Sequence, residues 1–142
     1  YLGVMMTEFP NLFMITGPQS PGVKSQMILS IQVHVDFIAE CLGHLQRTGN
    51  TTIVPTQAAQ TEWVRHNNQV AEATLYPRAN SWYMGANVPG KPRVFMPYVG
   101  GVHTYQRKLD EVIEKVFTGF ETYGLAPPDL SDSQAEVSAV QN

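Results

Sequence analysis

The chain has 142 residues, of which 43% are hydrophobic and only 15% are charged, and its formal net charge is -3. This length suits one domain, the absence of a basic footprint argues against nucleic-acid binding, and a single cysteine, Cys41, excludes an intrachain disulfide framework. The charged fraction is well below the usual quarter, so we expect part of the surface to face another protein segment.

The sequence shows no secretory signal and no continuous apolar run of the roughly 18 residues that a membrane span needs. We therefore expect a cytoplasmic protein with neither a membrane nor a nucleic acid as partner. The chain begins with Tyr1, which predicts a processed chain or an excerpt of a longer one.

The pattern of residues 11–35 is typical of a cofactor cradle. The apolar run 12–16 predicts a buried strand that breaks at Gly17 and Pro18. Apolar residues at three- and four-residue steps then predict a helix over 25–47, buried on most sides at its start and stopped by Gly49. The N-terminus of a helix carries partial positive charge and free amide groups, so an electron-rich cofactor edge could bind there.

The middle of the chain predicts a short strand and a second helix. The β-branched run 52–54 is closed by Pro55, and Thr56 is expected to cap a helix that continues to about residue 74. Residues 76–92 form a long stretch rich in Gly, Pro and Asn that also carries large aromatic side chains, which is typical of a lid or binding loop.

The last third predicts a strand over 93–98 and a third helix over 104–119. Residues 125–142 contain no aromatic residue and are predicted to be a disordered tail. The predicted class is therefore α/β, with three helices, two or three short strands and one long irregular loop. Because so few strands do not complete a sheet, we expect an incomplete part of a larger fold.

Two familiar motif types are absent or rejected. Residues 85–91 match the first seven positions of a phosphate-binding P-loop, but Pro92 stands where the motif needs a hydroxyl and no helix is predicted to follow. His34 and Cys41 share a helical face without a third ligand nearby, so we expect no metal site.

The loop around Trp82 carries the stronger signal. Trp82 near Lys91 could clamp a phosphorylated, aromatic cofactor by stacking and charge. Alternatively, Trp82 and Tyr83 fill an interface between domains. The residue pattern does not decide between the cofactor clamp and the domain interface.

Two long stretches carry a family resemblance. YLGVMMTEFPNLFMITGPQSP and NSWYMGANVPGKPRVFMPYVGG resemble the C-terminal part of Baeyer–Villiger monooxygenases, above all the phenylacetone and steroid monooxygenase branch. The resemblance covers residues 1–124. It implies part of a two-domain flavoprotein that binds FAD and NADPH and uses O2 to insert an oxygen atom beside a ketone carbonyl, which gives an ester or lactone.

The resemblance also implies roles for individual residues. It places residues 1–124 at the end of the FAD-binding domain, with 76–92 as the loop that covers the nicotinamide cofactor. The cofactor-binding positions that it implies are Gly17, Pro18, Met27, Trp82 and Lys91. The ketone-binding positions that it implies are Gly22, Val23 and Lys24.

The chain also departs from the family pattern. The glycine-rich FAD and NADPH fingerprints and the active-site arginine are missing, so no catalytic residue is assigned and the segment is expected to be inactive without the N-terminal FAD and NADPH domains. Lys24 puts a charge where the branch is apolar, which leaves the ketone preference open. The alternatives are an interaction module that associates with itself or a partner, and a segment of a related N- or S-oxygenating flavin monooxygenase.

Overall fold

The structure is a computed structural model that describes residues 1–22, 25–79 and 81–124. In chain order its elements are α1 (Met27–Thr48), β1 (Thr52–Pro55), α2 (Gln57–Glu72), two 3₁₀ turns (Tyr76–Arg78 and Trp82–Met84), α3 (Val102–Glu114) and β2 (Phe120–Tyr123). The predicted α/β class with three helices is confirmed. The predicted tail, residues 125–142, lies outside the described residues.

Helix α1 ends as its sequence predicts. Gly49 adopts φ 71°, and its amide donates to the carbonyls of Gln46 and Leu45. A left-handed residue at this position is favourable for glycine, which has no Cβ to clash. Side chains four residues apart, from Val33 to Leu45, point into the core.

The predicted burial at the start of α1 is wrong for the described part of the chain. Ile28 is 77% exposed, and Leu29, Ile31 and Val35 are also exposed. No element within the described ranges packs against this face, so an apolar stripe typical of a core helix faces outward.

Two predicted strands are absent from the described residues, for a shared reason. Residues 12–16 and 93–98 are not paired in a ladder; the second run makes one isolated bridge, between Tyr98 and Pro21. Leu12 and Ile15 are exposed rather than buried. Extended chain becomes a strand only where a neighbouring strand offers its amides and carbonyls, and here other groups take that place.

The sequence analysis missed a strand, β2, which is the last element of the described residues. β2 pairs antiparallel with β1, with Thr52 opposite Tyr123 and Pro55 opposite Phe120. Helix α3 stops at Glu114, before the predicted end, because Val116 and Phe117 adopt positive φ values of 54° and 57° and reverse the chain toward β2.

Helix α2 begins as predicted. The Thr56 side chain accepts a hydrogen bond from the amide of Ala59 at 3.2 Å and so caps the first turn. The helix runs along the other side of the core, where Trp63 is buried and stacks on Tyr98 with ring centroids 5.4 Å apart.

A buried hydrogen-bond chain joins the N-terminal segment to two helices. His34 of α1 is fully buried; its Nδ1 accepts from the Thr16 amide at 3.0 Å, and its Nε2 lies 2.8 Å from the Tyr105 hydroxyl of α3. The Tyr105 hydroxyl donates to the Leu2 carbonyl at 2.6 Å. Since Tyr105 has a single proton to give, only a neutral His34 with its proton on Nε2 satisfies every group.

Removing the Tyr105 hydroxyl tests this chain of bonds. We expect Tyr105→Phe to lower the free energy of unfolding by about 1–3 kcal/mol, because the Leu2 carbonyl and His34 Nε2 would be left buried without a partner. Urea denaturation followed by circular dichroism measures the change. Tyr123→Phe, at a half-exposed tyrosine of β2, is the matched control and should leave stability within about 0.5 kcal/mol.

The same chain of bonds predicts a pH dependence. Burial lowers the pKa of His34 below its ordinary value of 6.5, so the unfolded chain binds a proton more readily than the folded one. The stability contributed by neutral His34 is therefore complete above the unfolded pKa and is lost as the pH falls toward the folded pKa. Unfolding curves between pH 7.5 and about pH 5 should show a steeper loss for the original chain than for His34→Gln. Equal slopes would contradict the assignment.

Candidate functional site

The N-terminus of α1 has the features that suit an electron-rich ligand. Gln26 precedes the helix in an extended conformation and makes no side-chain capping bond within the described residues, and the first turn carries no acidic residue. Met27, the predicted flavin neighbour, starts the helix half-buried. A helix start without a capping side chain or carboxylate keeps its partial positive charge available to an outside group.

Gly17 has a structural reason to be glycine. A Cβ there would lie 2.6 Å from the Gly3 carbonyl oxygen, so a side chain would collide with the N-terminal segment. The Gly17 carbonyl accepts from the Ser20 hydroxyl at 2.7 Å, which tightens the turn, and Pro18 is left exposed. Internal packing therefore explains the glycine without a cofactor, and Pro18 is the member of this pair that an outside group can reach.

Gly22 is also shaped by packing, and it opens onto a cavity. A Cβ at Gly22 would lie 2.8 Å from Pro97 Cβ, so only glycine allows this close approach. Gly22 lines a cavity of about 660 Å³, and most of the other lining residues are apolar or aromatic. Its aromatic lining residues are Tyr76, Tyr83 and Tyr98. Val23 and Lys24, the other two predicted ketone-side residues, lie outside the described residues.

Trp82 lies outside this cavity, on an aromatic ladder. The Trp82 side chain is 64% exposed and its ring centroid lies 4.0 Å from that of Tyr83. Tyr83 meets Tyr76 edge to face at 5.7 Å, and Tyr76 lies 5.2 Å from the fully buried Phe95. The ladder contacts Trp82 through Tyr83, and most of the Trp82 side chain stays accessible for stacking.

Lys91 lies in the same loop as Trp82. A Cβ on Gly85, the glycine that ends the Trp82 turn with φ 70°, would lie 3.4 Å from Lys91 Cδ. The stem of Lys91 therefore packs against the turn, while the residue as a whole is exposed. A charged amine and an exposed aromatic face on one compact loop can bind a phosphorylated aromatic group.

The structure brings some of the predicted residues together and keeps others apart. Gly22 shares a cavity with Tyr76 and Tyr83 of the loop 76–92, whereas Gly17, Met27, Trp82 and Lys91 do not line it. Tyr76, Tyr83 and Tyr98 were missed as lining residues. The signal available was the number of aromatic side chains in a stretch otherwise rich in glycine and proline.

Residues 1–22, 25–79 and 81–124 contain no group of three or more His, Cys, Asp and Glu side chains that could hold a metal ion. Helix α1 is long enough to cross a membrane and reaches a mean hydropathy of 1.2 over 18 residues, although polar residues interrupt it. A core helix passes the same test, so this is weak evidence for a membrane.

Comparison with known proteins identifies relatives over most of the chain. No protein-family model matches. An acetone monooxygenase that forms methyl acetate, from Gordonia sp. strain TY-5, is 36% identical over 88% of this chain and 23% of its own length. A phenazine N-monooxygenase from Lysobacter antibioticus is 35% identical over 84% of this chain and 22% of its own. The chain thus spans less than a quarter of the curated relatives that it matches.

Solved structures agree with the sequence relatives. Cyclohexanone monooxygenase from Rhodococcus sp. Phi1, bound to NADP+, aligns with a TM-score of 0.79 and 37% identity over 87% of this chain and 23% of its own. An oxidised steroid monooxygenase bound to NADP aligns with a TM-score of 0.78 and 40% identity, over 87% and 22%. The chain belongs to the Baeyer–Villiger monooxygenase family and corresponds to a C-terminal segment of these enzymes.

Proposed function

We propose that residues 1–124 form the C-terminal segment of the FAD-binding domain of an NADPH-dependent Baeyer–Villiger monooxygenase, an enzyme that converts a ketone to an ester or lactone. The observation that carries the proposal is the cavity shared by Gly22 and the loop residues Tyr76 and Tyr83. A ketone needs an apolar pocket beside a cofactor. This cavity brings the predicted ketone-binding position Gly22 together with the loop 76–92, which is predicted to cover the cofactor.

The residues at the start of α1 fit a flavin. The exposed side chains of Ile28 and Ile31 offer an apolar surface that a ring system could cover, and the helix start offers positive potential to its electron-rich edge. Gly17, Pro18 and Met27 are the residues proposed to approach it. FAD supplies the redox chemistry with O2 when bound, and no residue of this segment is assigned a catalytic role.

The loop 76–92 is proposed to cover the nicotinamide cofactor. Trp82 would stack on its aromatic ring, Lys91 would face a phosphate, and the folded loop would keep water out of the site. Gly22, with Val23 and Lys24, is proposed to shape the ketone side. The missing partners are the N-terminal FAD and NADPH portions of the enzyme.

A second candidate is oxygenation at nitrogen. The similarity to a phenazine N-monooxygenase favours it, because that relative is about as similar to this chain as the ketone-oxidising ones are. The two reactions are separated by their products, an ester or lactone in one case and an N-oxide in the other.

The isolated chain is expected to be inactive. It supplies one wall of the flavin site, so adding FAD to the purified 142-residue chain should give no saturable change in flavin fluorescence, and adding NADPH and a ketone should give no oxidation. Tight flavin binding by the isolated chain would contradict the proposed division of the site.

A chimera tests the segment in an enzyme. Replacing the aligned segment of the Rhodococcus cyclohexanone monooxygenase by this chain should keep ketone-dependent NADPH oxidation and formation of a lactone. In that chimera, Trp82→Ala should lower kcat/KM for the ketone by about tenfold or more, because the loop no longer closes over the cofactor. Product chromatography and NADPH absorbance measure both quantities.

Phe9→Ala is the control for the Trp82 variant. Phe9 is also an exposed aromatic residue, 52% accessible, but it lies outside the loop. Its loss should leave kcat/KM within about twofold. If Phe9→Ala and Trp82→Ala have equal effects, the loop has no special role.

A further inference from the structure

Residues 95–98, which we call the strap, form hydrogen bonds with three separate parts of the chain. Asn67 Nδ2 of α2 donates to the Phe95 carbonyl at 2.7 Å, and the Phe95 amide donates to Asn68 Oδ1 at 3.2 Å. Two neighbouring side-chain amides on a helix thus replace the strand that the sequence pattern leads one to expect. We call Asn67 and Asn68 the amide clamp.

Met96, the next residue of the strap, connects the loop 76–92 to the segment that leads to Gly22. The Met96 amide donates to the Tyr83 carbonyl at 2.9 Å, and the Met96 carbonyl accepts from the Gln19 amide. The Tyr98 amide donates to the Ser20 carbonyl at 2.8 Å. One peptide segment therefore holds the Trp82–Met84 turn on one side and the loop that leads to Gly22 on the other.

One member of the amide clamp, Asn67, is buried at a cost in desolvation. Asn67 is fully buried, and its Oδ1 has no partner within the described residues. An apolar side chain of the same size would avoid that desolvation penalty, but it would leave the Phe95 carbonyl unpaired instead. Fully buried Phe95 itself anchors the aromatic ladder beneath Trp82, so the clamp and the ladder meet at one residue.

We propose that Asn67 and Asn68 are positioning residues that fix the strap and, through Met96, set the distance between the Trp82–Met84 turn and residues 19–22. The effect on catalysis rests on the proposed function, whereas the effect on the strap is a property of this chain alone. Neither residue lines the cavity, so each acts through the backbone of 95–98.

Asn67 donates a hydrogen bond and Asn68 accepts one, so the same substitution has different expected effects at the two positions. Asn68 serves as an acceptor, so Asn68→Asp keeps the bond to the Phe95 amide and Asn68→Leu removes it. Asn67 serves as a donor, so Asn67→Asp removes the bond when the new side chain is ionised, because a carboxylate has no hydrogen to donate to the Phe95 carbonyl. Gln69→Leu, at the exposed neighbour on the same helix, is the matched control.

Amide hydrogen exchange on the full 142-residue chain measures the strap directly. In Asn68→Leu, protection of the Phe95 and Met96 amides should fall by about tenfold, while Asn68→Asp and Gln69→Leu should stay within about twofold of the original chain. Unchanged protection of amides in β1 shows that the fold persists. If Asn67→Asp fails to fold, the two Asn68 variants still decide. Unchanged protection in Asn68→Leu, or equal loss in Asn68→Asp, would overturn the proposal.

Kinetics in the chimera measure the consequence for the site. Asn68→Leu should raise the ketone KM by about threefold or more and lower the product formed per NADPH oxidised, with kcat for NADPH oxidation within about twofold. Asn68→Asp should keep the ketone KM and the product formed per NADPH oxidised at the values of the unsubstituted chimera. A wild-type KM and product yield in Asn68→Leu would refute the positioning role. An unsubstituted chimera without ketone oxidation would refute the proposed function, and the exchange experiment would still decide whether the clamp exists.

Discussion

The neutral side chain of His34 is the contact on which the described structure depends. Its two ring nitrogens bind the Thr16 amide and the Tyr105 hydroxyl, and Tyr105 passes the interaction on to the Leu2 carbonyl. Without this chain the carbonyl of the buried residue Leu2 would lose its side-chain partner. The arrangement requires one tautomer, which is why it is sensitive to protonation.

Extended chain in this molecule is held by side chains and loops more than by strands. The strap is bonded by the amide clamp, by Tyr83 and by residues 19–20, and only β1 and β2 form a ladder among the described residues. Because side chains and loops supply these bonds, the strap contacts segments that are not neighbouring strands of a sheet. It therefore allows a turn near Trp82 and a loop near Gly22 to share one support.

The apolar face at the start of α1 and the low charge of the chain have a common explanation in the family assignment. The relatives are more than four times as long as the segment that they share with this chain. Under the proposed function, the flavin and the nucleotide-binding portions of the enzyme would together cover Ile28, Ile31 and Val35. Covering an apolar surface of this kind removes it from water, which is favourable.

The sequence by itself determined the existence of the three helices, the caps at Thr56 and Gly49, and the family. Periodicity located α1 and α2, Thr56 and Gly49 act as predicted, and two contiguous stretches carried the resemblance, because each of these signals is local. Only the tertiary structure decided that residues 12–16 and 93–98 are not strands, that β2 exists, and that Gly22 meets Tyr76 and Tyr83 across a cavity. Strand pairing and cavities depend on which distant segments supply hydrogen bonds and contacts, and no local pattern contains that information.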